Sequence, residues 1–540
     1  MPEAGLNSTC VEGRQRPGLA LLGFRAGDCY AEIPSCRSVE ELAWRAEVVR
    51  RADPNHILTS HSAIPSIFTL PGGSGQPDDW KMARTVDAYG TSFYPKHSAN
   101  FEARDPSFRS AHLGAARSAC DAAGKPCWIG ELQGGHGYVS TRAMAIRPKD
   151  VELWGWGALS HGAKALCYYA WYPMTSGVES GGFGLTEPNG VPTERAWAAG
   201  AVSKIVDANQ NVFVNGRVPK SDVGILYSVP SNILWTCMGD FSRPVSSRSL
   251  LGANRAMFEK KITIDFLHVD QIVDGALADY RVLYMPFIIM ISRPFAERVA
   301  EFVRSGGIVV AEARCGWNDE TGMVPEAIPG MGLDRVFGCK ERSIERMDTP
   351  EMTIVSASDT LPSFQPGDKI KGAFYQEELE VISDTAQVIA EFPGGAPAIV
   401  MNRYGKGKAI FIGTMLSYGY EMARDVDRGR LLSDIAISAG VQPLVCVEGE
   451  PEGCIIEPRI LEGIDAEGRA FKLLFGFNHG QDLANVIFKI KADGAEYLAS
   501  DLKNQCPVPV ETRDGRIILR QLLEPESVCV IKLVNRKGMA

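Results

Sequence analysis

A single carboxylate follows a short apolar run in the segment WIGELQGG, residues 128–135. The apolar run predicts a strand at 126–133 that enters a glycine-rich turn. Where βα units build a barrel, the carboxyl ends of the strands face the active site. Glu131 is therefore a candidate for nucleophilic or acid–base chemistry. The alternative is a strand-end glutamate that pairs with a neighbouring lysine or arginine.

The next predicted strand, at 163–172, is rich in aromatic residues towards its end, and Glu179 follows before a Ser-Gly-Gly turn. The aromatic residues are Tyr168, Tyr169, Trp171 and Tyr172. Aromatic faces cover the C–H faces of sugar rings, and carboxylates bind ring hydroxyls and act on the glycosidic oxygen. Two carboxylates and an aromatic platform at one end of adjacent strands indicate a carbohydrate site. Ordinary core packing is the alternative for the aromatic residues.

Other reactive residue types have simpler interpretations. The sequence around Lys406-Gly407-Lys408 lacks the spacing of a phosphate-binding loop and predicts a hairpin turn. Cys315 follows a predicted strand but lacks the glycine pattern of a nucleophile elbow, which favours a structural role. His61 and His136 lie near predicted strand ends, where hydrogen-bonded packing and a substrate contact are both open.

Alternating strands and helices position these residues in the first part of the chain. Strands are predicted at 56–61, 85–94, 126–133 and 163–172, and helices at 38–53, 106–123, 149–160 and 192–207. Ser38 is the predicted N-cap of the first helix. A βα barrel needs eight strands to close, so four units leave two unpaired strand edges. An open doubly wound sheet and the C-terminal half of a barrel both satisfy this pattern.

The remaining chain predicts two further domains. A second set of strand–helix–strand patterns marks an α/β domain, and short alternating strands without helical patterns then mark a small antiparallel, sandwich-like β domain. The predicted division is an irregular segment at 1–37, a βα domain at 38–215, an α/β domain at 216–442 and a β domain at 443–540.

Composition narrows the possible partners and the compartment. The 540 residues include 56 basic and 65 acidic side chains, a formal net charge of −9, which argues against nucleic acid as a partner. The longest apolar stretch, at 282–291, is too short to span a bilayer, so no membrane partner is expected. Thirteen scattered cysteines without a C-x-x-C pair predict a reducing cytoplasm and no metal site. No cofactor is expected.

Several long segments resemble the family-42 glycoside hydrolases, the microbial β-galactosidases. WIGELQGG, LWGWGALSHGAKALCYYAWYPMTSGVESGGFGL and GVPTERAWAAG resemble the second half of that family's catalytic barrel, and VDAYGTSFYP resembles its sixth strand. YGKGKAIFIGT resembles the end of its trimerisation domain, a module related in shape to glutamine amidotransferases. The implied fold is α/β: the C-terminal half of a (β/α)8 TIM barrel, an amidotransferase-like trimerisation domain and a small antiparallel β domain.

The resemblance implies a retaining glycosidase acting on terminal β-D-galactosyl residues of small oligosaccharides. Glu131 is at the nucleophile position, Glu179 matches a galactose-binding glutamate, and Tyr94 matches a tyrosine that hydrogen-bonds near the nucleophile. Trp171, Tyr138 and Gln133 are further candidates for contacts with the sugar. A homotrimer is implied by the middle domain.

The chain also departs from the family pattern. The family's acid/base glutamate follows an asparagine after the fourth strand, and no Asn-Glu pair occurs in the first forty residues. Gly182 stands where a histidine is usual, and Tyr138 is the aromatic residue nearest to a missing pocket tryptophan. The chain is therefore expected to lack strands one to four and to hydrolyse poorly. The alternatives are a catalytically dead truncated remnant and a carbohydrate-binding or assembly protein.

Overall fold

Four parallel strands form the sheet that carries Glu131. The structure is a computed structural model that describes residues 24–69, 78–97, 105–137, 144–238, 244–494 and 496–535. The strands are β1 (Thr59–Ser62), β2 (Ala88–Phe93), β3 (Cys127–Gln133) and β4 (Leu166–Tyr169). They lie side by side in sequence order, and each is parallel to the next. This is the order of four consecutive βα units, and within the described residues β1 and β4 each pair on one side.

Helices precede and connect these strands. They are α1 (Phe24–Ala52), α2 (Asp79–Ala83), α3 (Pro106–Ala122), α4 (Pro148–Ser160), α5 (Glu194–Ala208) and α6 (Gln210–Asn215). The Asp105 side chain accepts a 2.9 Å hydrogen bond from the Ser107 N–H and so caps α3. Gly124, with a φ of 65°, follows the end of that helix. The structure confirms the predicted positions of α3 and α4 to within one residue at each end.

The first helix begins earlier than the sequence pattern indicated. The prediction of a helix start at Ser38 is wrong, because α1 already begins at Phe24 and continues through Pro34. The serine therefore lies inside a helix that is already formed, although Pro34 precedes it by four residues. Residues 24–37 of the segment expected to be irregular are therefore helical, and residues 1–23 lie outside the described residues.

A nine-stranded mixed sheet forms the middle of the molecule. Its strand order is β13-β12-β15-β16-β17-β9-β7-β5-β6, in which β17, β9, β7, β5 and β6 run parallel and the rest antiparallel. The elements of this region are β5 (Val223–Tyr227), α7 (Val229–Cys237), α8 (Val245–Glu259), β6 (Asp265–His268), α9 (Val269–Val273), β7 (Val282–Met285), β8 (Met290–Ile291), α10 (Arg293–Ser305), β9 (Ile308–Glu312), β10 (Asn318–Asp319), α11 (Leu333–Phe337), β11 (Cys339–Arg346), β12 (Glu351–Ile354), β13 (Lys369–Lys371), β14 (Tyr375–Val381), β15 (Ala386–Glu391), β16 (Pro397–Tyr404), β17 (Gly407–Ile412), α12 (Leu416–Ala423) and α13 (Val426–Ser438).

Both faces of this sheet are buried, which explains its nearly continuous apolar strands. One face packs against α8 and α13, and the other against α10 and α11. The predicted hairpin around Lys406 is present, because β16 and β17 pair antiparallel up to Tyr404 and Gly407. The α/β class predicted for this region is confirmed.

The C-terminal region is a sandwich of two antiparallel sheets, ordered β18-β21-β25-β24 and β19-β20-β26-β22-β23. The strands are β18 (Val445–Glu448), β19 (Ile456–Ile464), β20 (Ala470–Asn478), β21 (Ala484–Lys491), β22 (Tyr497–Asp501), β23 (Cys506–Val508), β24 (Glu511–Arg513), β25 (Arg516–Leu523) and β26 (Ser527–Asn535). One face of the five-stranded sheet packs on the other sheet. Its second face packs on α4, α5 and α6, beneath the four parallel strands.

The helix α3 joins the four-stranded sheet to the middle region. Phe108, Ala111 and Ala115 of α3 share one apolar cluster with Leu250 and Met257 of α8. The helix that connects β2 to β3 is thereby held on both sides. Across the described residues, we find no helix with both the length and the apolar character needed to cross a bilayer.

Candidate active site

A bulge in the parallel sheet determines how Glu131 is presented. The pairing of β2 with β3 shifts after Thr91 and Ile129, so that Ser92 lies opposite Glu131 and Gly130 is the extra residue. Such a bulge re-aims the side chain that follows it. The Glu131 side chain is 35% exposed, so it is accessible to a ligand while protein groups contact it.

Two hydroxyl groups, one on β2 and one on the residue that follows it, bind one oxygen of Glu131. The Tyr94 O–H donates to Glu131 Oε2 over 2.8 Å, and the Ser92 O–H donates to the same oxygen over 3.2 Å. His61 Nε2 lies 3.6 Å from the other oxygen, Oε1. The carboxylate is therefore fixed through Oε2, whereas Oε1 makes no hydrogen bond with the described residues.

Tyr94 is a permanent hydrogen-bond donor to this carboxylate. Its ring makes edge contacts with Phe183 and Tyr169, with centroid separations of 5.5 Å and 6.4 Å. Burial, followed by the hydrogen bond to Glu131, raises the pKa of Tyr94 far above its ordinary value. The phenol therefore stays protonated at any physiological pH and directs its proton at Glu131.

The second carboxylate, Glu179, is hydrogen-bonded to the end of β4, the strand next to β3. The Tyr169 O–H at the end of β4 donates to Glu179 Oε2 over 2.7 Å, and this bond raises the pKa of Tyr169 to about 12. Since Tyr169 also contacts Tyr94, the two carboxylates lie on the same side of the sheet and are linked through two phenol rings.

The other residues selected from the sequence have different positions. Gln133 is fully buried, accepts a 2.9 Å bond from the Lys96 N–H and donates a 3.0 Å bond to the Gly135 carbonyl, so it holds the loops that follow β2 and β3. Trp171 is 59% exposed just beyond β4. Tyr138 lies outside the described residues.

Sequence reasoning missed Ser92 and the ionic support of the loop after β2. Ser92 is two residues before Tyr94 on the same face of a strand, a spacing that could have identified it. Lys96 forms a 2.6 Å ion pair with the buried Asp150, which also accepts from the Arg147 N–H at the start of α4. Burial opposes the ionisation of Asp150, but the side chains of Arg147 and Lys96 hold its pKa below the ordinary value. No sequence periodicity reveals this contact between distant segments.

Cys315 and His268 have structural surroundings, whereas the role of the His136 side chain stays a prediction. Cys315 is fully buried, and burial raises the pKa of its thiol. His268 faces Asp78 and Asp270, at 3.4 Å and 3.5 Å, instead of serving as a base for Cys315. His136 is exposed, and its carbonyl accepts a 2.7 Å bond from the Phe183 N–H.

Comparison with known proteins gives matches over most of the chain. Residues 42–207 match the family model "Beta-galactosidase" and residues 221–438 match "Beta-galactosidase trimerisation domain". The chain is 25% identical over 358 residues to β-galactosidase LacZ of Heyndrickxia coagulans, which covers 64% of this chain and 48% of that protein. It is 24% identical over 404 residues to β-galactosidase Bga of Halorubrum lacusprofundi, covering 71% of this chain and 55% of that protein. The chain thus spans about half the length of the curated relatives it matches.

Solved structures share the fold. The β-galactosidase of Bacillus circulans sp. alkalophilus superimposes with a TM-score of 0.73 at 18% identity, over 92% of this chain and 66% of that one. The β-galactosidase of Rahnella sp. R3 gives a TM-score of 0.72 at 16% identity, over 94% of this chain and 68% of that one. The two family models together match more than half of the residues, and they show that the chain belongs to family 42 of the glycoside hydrolases.

Proposed function

We propose that the chain carries the nucleophile side of a retaining β-glycosidase site of the β-galactosidase class, with Glu131 as the nucleophile. The observation that carries this proposal is the asymmetry of the Glu131 carboxylate. Oε2 accepts from both Tyr94 and Ser92, whereas Oε1 is open to the partly exposed space beside it. A carboxylate fixed through one oxygen and open at the other is suited to in-line attack on an anomeric carbon.

The proposed first step forms a bond between Glu131 Oε1 and the anomeric carbon. The bond between that carbon and the leaving oxygen breaks, and its electron pair stays on the leaving group. The Tyr94 and Ser92 hydroxyls keep the carboxylate oriented during the attack. Water then cleaves the resulting ester between sugar and Glu131, which restores the carboxylate and retains the anomeric configuration.

The leaving oxygen needs a proton from a second acid in an efficient glycosidase. Glu179 is bonded to Tyr169, and we assign it to sugar binding together with the exposed face of Trp171. We therefore propose that this chain by itself reacts poorly with natural galactosides. General acid catalysis contributes about 10²- to 10⁴-fold, so leaving groups that need no proton should be favoured by that factor.

The names of the relatives support a substrate with a terminal β-D-galactosyl residue. We further propose domain boundaries at 215/216 and 442/443, and a homotrimer formed through the middle domain, whose sequence matches a trimerisation model. Nine free cysteines among the described residues fit a reducing cytoplasm. A monomeric mass by light scattering would contradict the trimer.

Trapping the covalent intermediate tests the nucleophile without requiring an acid catalyst. We expect dinitrophenyl 2-deoxy-2-fluoro-β-D-galactoside to label the full chain once per site, with the added mass on the peptide that contains Glu131. Glu131→Gln should abolish labelling, and Glu47→Gln, an exposed position on α1, should label like the original chain. Label on another residue, or no label at all, would contradict the proposal. Sugar binding without labelling would favour a carbohydrate-binding protein.

A further inference from the structure

His61 lies next to the oxygen of Glu131 that the hydroxyl groups leave open. Its Nε2 is 3.6 Å from Glu131 Oε1, and within 4 Å no other carboxylate of the described residues faces the ring. The distance exceeds that of a hydrogen bond, so the two groups face each other without being bonded. The His61 side chain is 26% exposed and that of Glu131 is 35% exposed, which makes both accessible to the same ligand.

The strand two places away in the sheet, β3, provides a fitted place for the imidazole of His61 on β1. A Cβ atom at Gly130 would lie 2.2 Å from His61 Nδ1 and 2.3 Å from its Cγ, so only glycine leaves room for the ring. The Trp128 ring contacts it edge-on at 5.6 Å, and the Trp128 indole N–H donates to the Ser60 carbonyl over 3.1 Å. The position of His61 is therefore built by β3 and is not that of a free surface side chain.

The separation of the two groups suits a bridging oxygen atom. An atom at a normal hydrogen-bond distance of about 2.8 Å from each can bridge polar atoms that are 3.6 Å apart. A hydroxyl group suits this position because it can accept from an imidazole N–H and donate its own proton to a carboxylate. Neither partner alone could satisfy both sides of that hydroxyl.

We propose that His61 and Glu131 Oε1 together bind the 2-hydroxyl of the sugar, which makes His61 a substrate-binding residue. This inference rests on the proposed function. When Oε1 approaches the anomeric carbon, the hydroxyl on the adjacent carbon is the sugar hydroxyl closest to that nucleophile oxygen. Hydrogen bonds to the 2-hydroxyl strengthen in the oxocarbenium-like transition state, so His61 acts on the rate more than on ground-state binding.

A substrate lacking the 2-hydroxyl separates this role from packing. His61→Phe keeps a ring against Gly130 and Trp128 but has no N–H, and His61→Gln places an amide N–H where Nε2 was. We expect His61→Phe to lower kcat/KM for dinitrophenyl β-galactoside by about 10- to 100-fold, mainly through kcat. For the 2-deoxy substrate the loss should be under about threefold, and His61→Gln should recover part of the rate on the full substrate. His56→Gln, on a largely exposed histidine, is the control.

Equal losses on both substrates would show that His61 only packs, and would overturn the inference. A binding measurement applies even where turnover is too slow to follow: the His61 ring resonance, identified by its absence in His61→Phe, should shift with galactose and stay in place with 2-deoxygalactose. Galactose binding without that shift overturns the role of His61 alone. If neither sugar binds, both this inference and the proposed function are overturned.

Discussion

Replacing Gly130 by alanine tests whether the bulge really creates the space for His61. The added Cβ would lie 2.2, 2.3 and 2.8 Å from His61 Nδ1, Cγ and Cε1. Carbon atoms in contact are about 3.5 Å or more apart, so the imidazole must move by roughly 1 Å or the strand must shift. Forcing an extra methyl group into a packed position lowers the free energy of unfolding by about 1–3 kcal/mol.

Gly200 provides a matched control with the opposite expected sign. It lies inside α5, and nothing lies within 4 Å of an added Cβ. Alanine there removes the helix penalty of glycine and should stabilise by about 0.5–1 kcal/mol. Since 1 kcal/mol corresponds to about 2–4 °C for a domain of this size, thermal unfolding followed by circular dichroism should show a fall of several degrees for Gly130→Ala and a small rise for Gly200→Ala.

The double variant His61→Ala with Gly130→Ala identifies the clash. All three atoms that the new methyl group would meet lie beyond the Cβ of His61, so alanine at 61 removes them. The double variant should therefore be more stable than the sum of the two single changes predicts, by about 1–2 kcal/mol. Strict additivity, or a fall of equal size for Gly130→Ala and Gly200→Ala, would refute the assigned position of His61.

Three further outcomes are expected. Tyr94→Phe keeps the ring contacts but removes a hydrogen bond to a charged group, which is worth about 1.5–3 kcal/mol. Labelling of Glu131 by the fluorosugar should therefore slow by about tenfold or more. An unchanged rate would contradict the role of Tyr94. Burial lowers the pKa of His161 to about 3, so at pH values between about 6.5 and 3 the unfolded chain binds a proton on this histidine that the folded chain does not. The free energy of unfolding should therefore fall as the pH drops through that range. His161→Gln should lose less stability over the same range in thermal unfolding, and equal losses would argue against this role of His161. Native alkylation followed by peptide mapping should modify the exposed Cys167 and spare the buried Cys315, whose reaction would show that its strand end opens.

The helices and strands with strong local patterns could be predicted from the sequence. The helix predicted at 106–123 lies within one residue of α3, because Pro106 marks its start and Gly124 follows its end. The start of α1 could not be read from its capping pattern, because Ser38 has the residue type of an N-cap but lies inside a helix that already begins at Phe24. The helix α7 went unpredicted although Ser228 caps it, since its short apolar run resembles a buried strand.

The site could be predicted in its residues but not in its contacts. Glu131 and Tyr94 were selected from the sequence, and the structure joins them by a hydrogen bond. The bulge at Gly130 and the approach of His61 depend on how β2 and β3 pair, and one glycine in an apolar run does not reveal that register. Gln133 was selected for its place two residues after Glu131 at the end of a strand. Its side chain instead anchors the loop after β2, because it accepts a hydrogen bond from the Lys96 N–H.

The double-sided packing of α3 has a consequence for how this molecule can be divided. The contact between α3 and α8 combines an apolar cluster with the ion pair of Asp105 and Arg255, so a fragment ending near residue 215 would expose Phe108 and its alanine neighbours to water. Such a fragment would also lose the α8 contacts that hold α3, the helix that connects β2 to β3. Substitutions on α8 should therefore lower the stability of the region that carries Glu131, although α8 contributes no strand to that sheet.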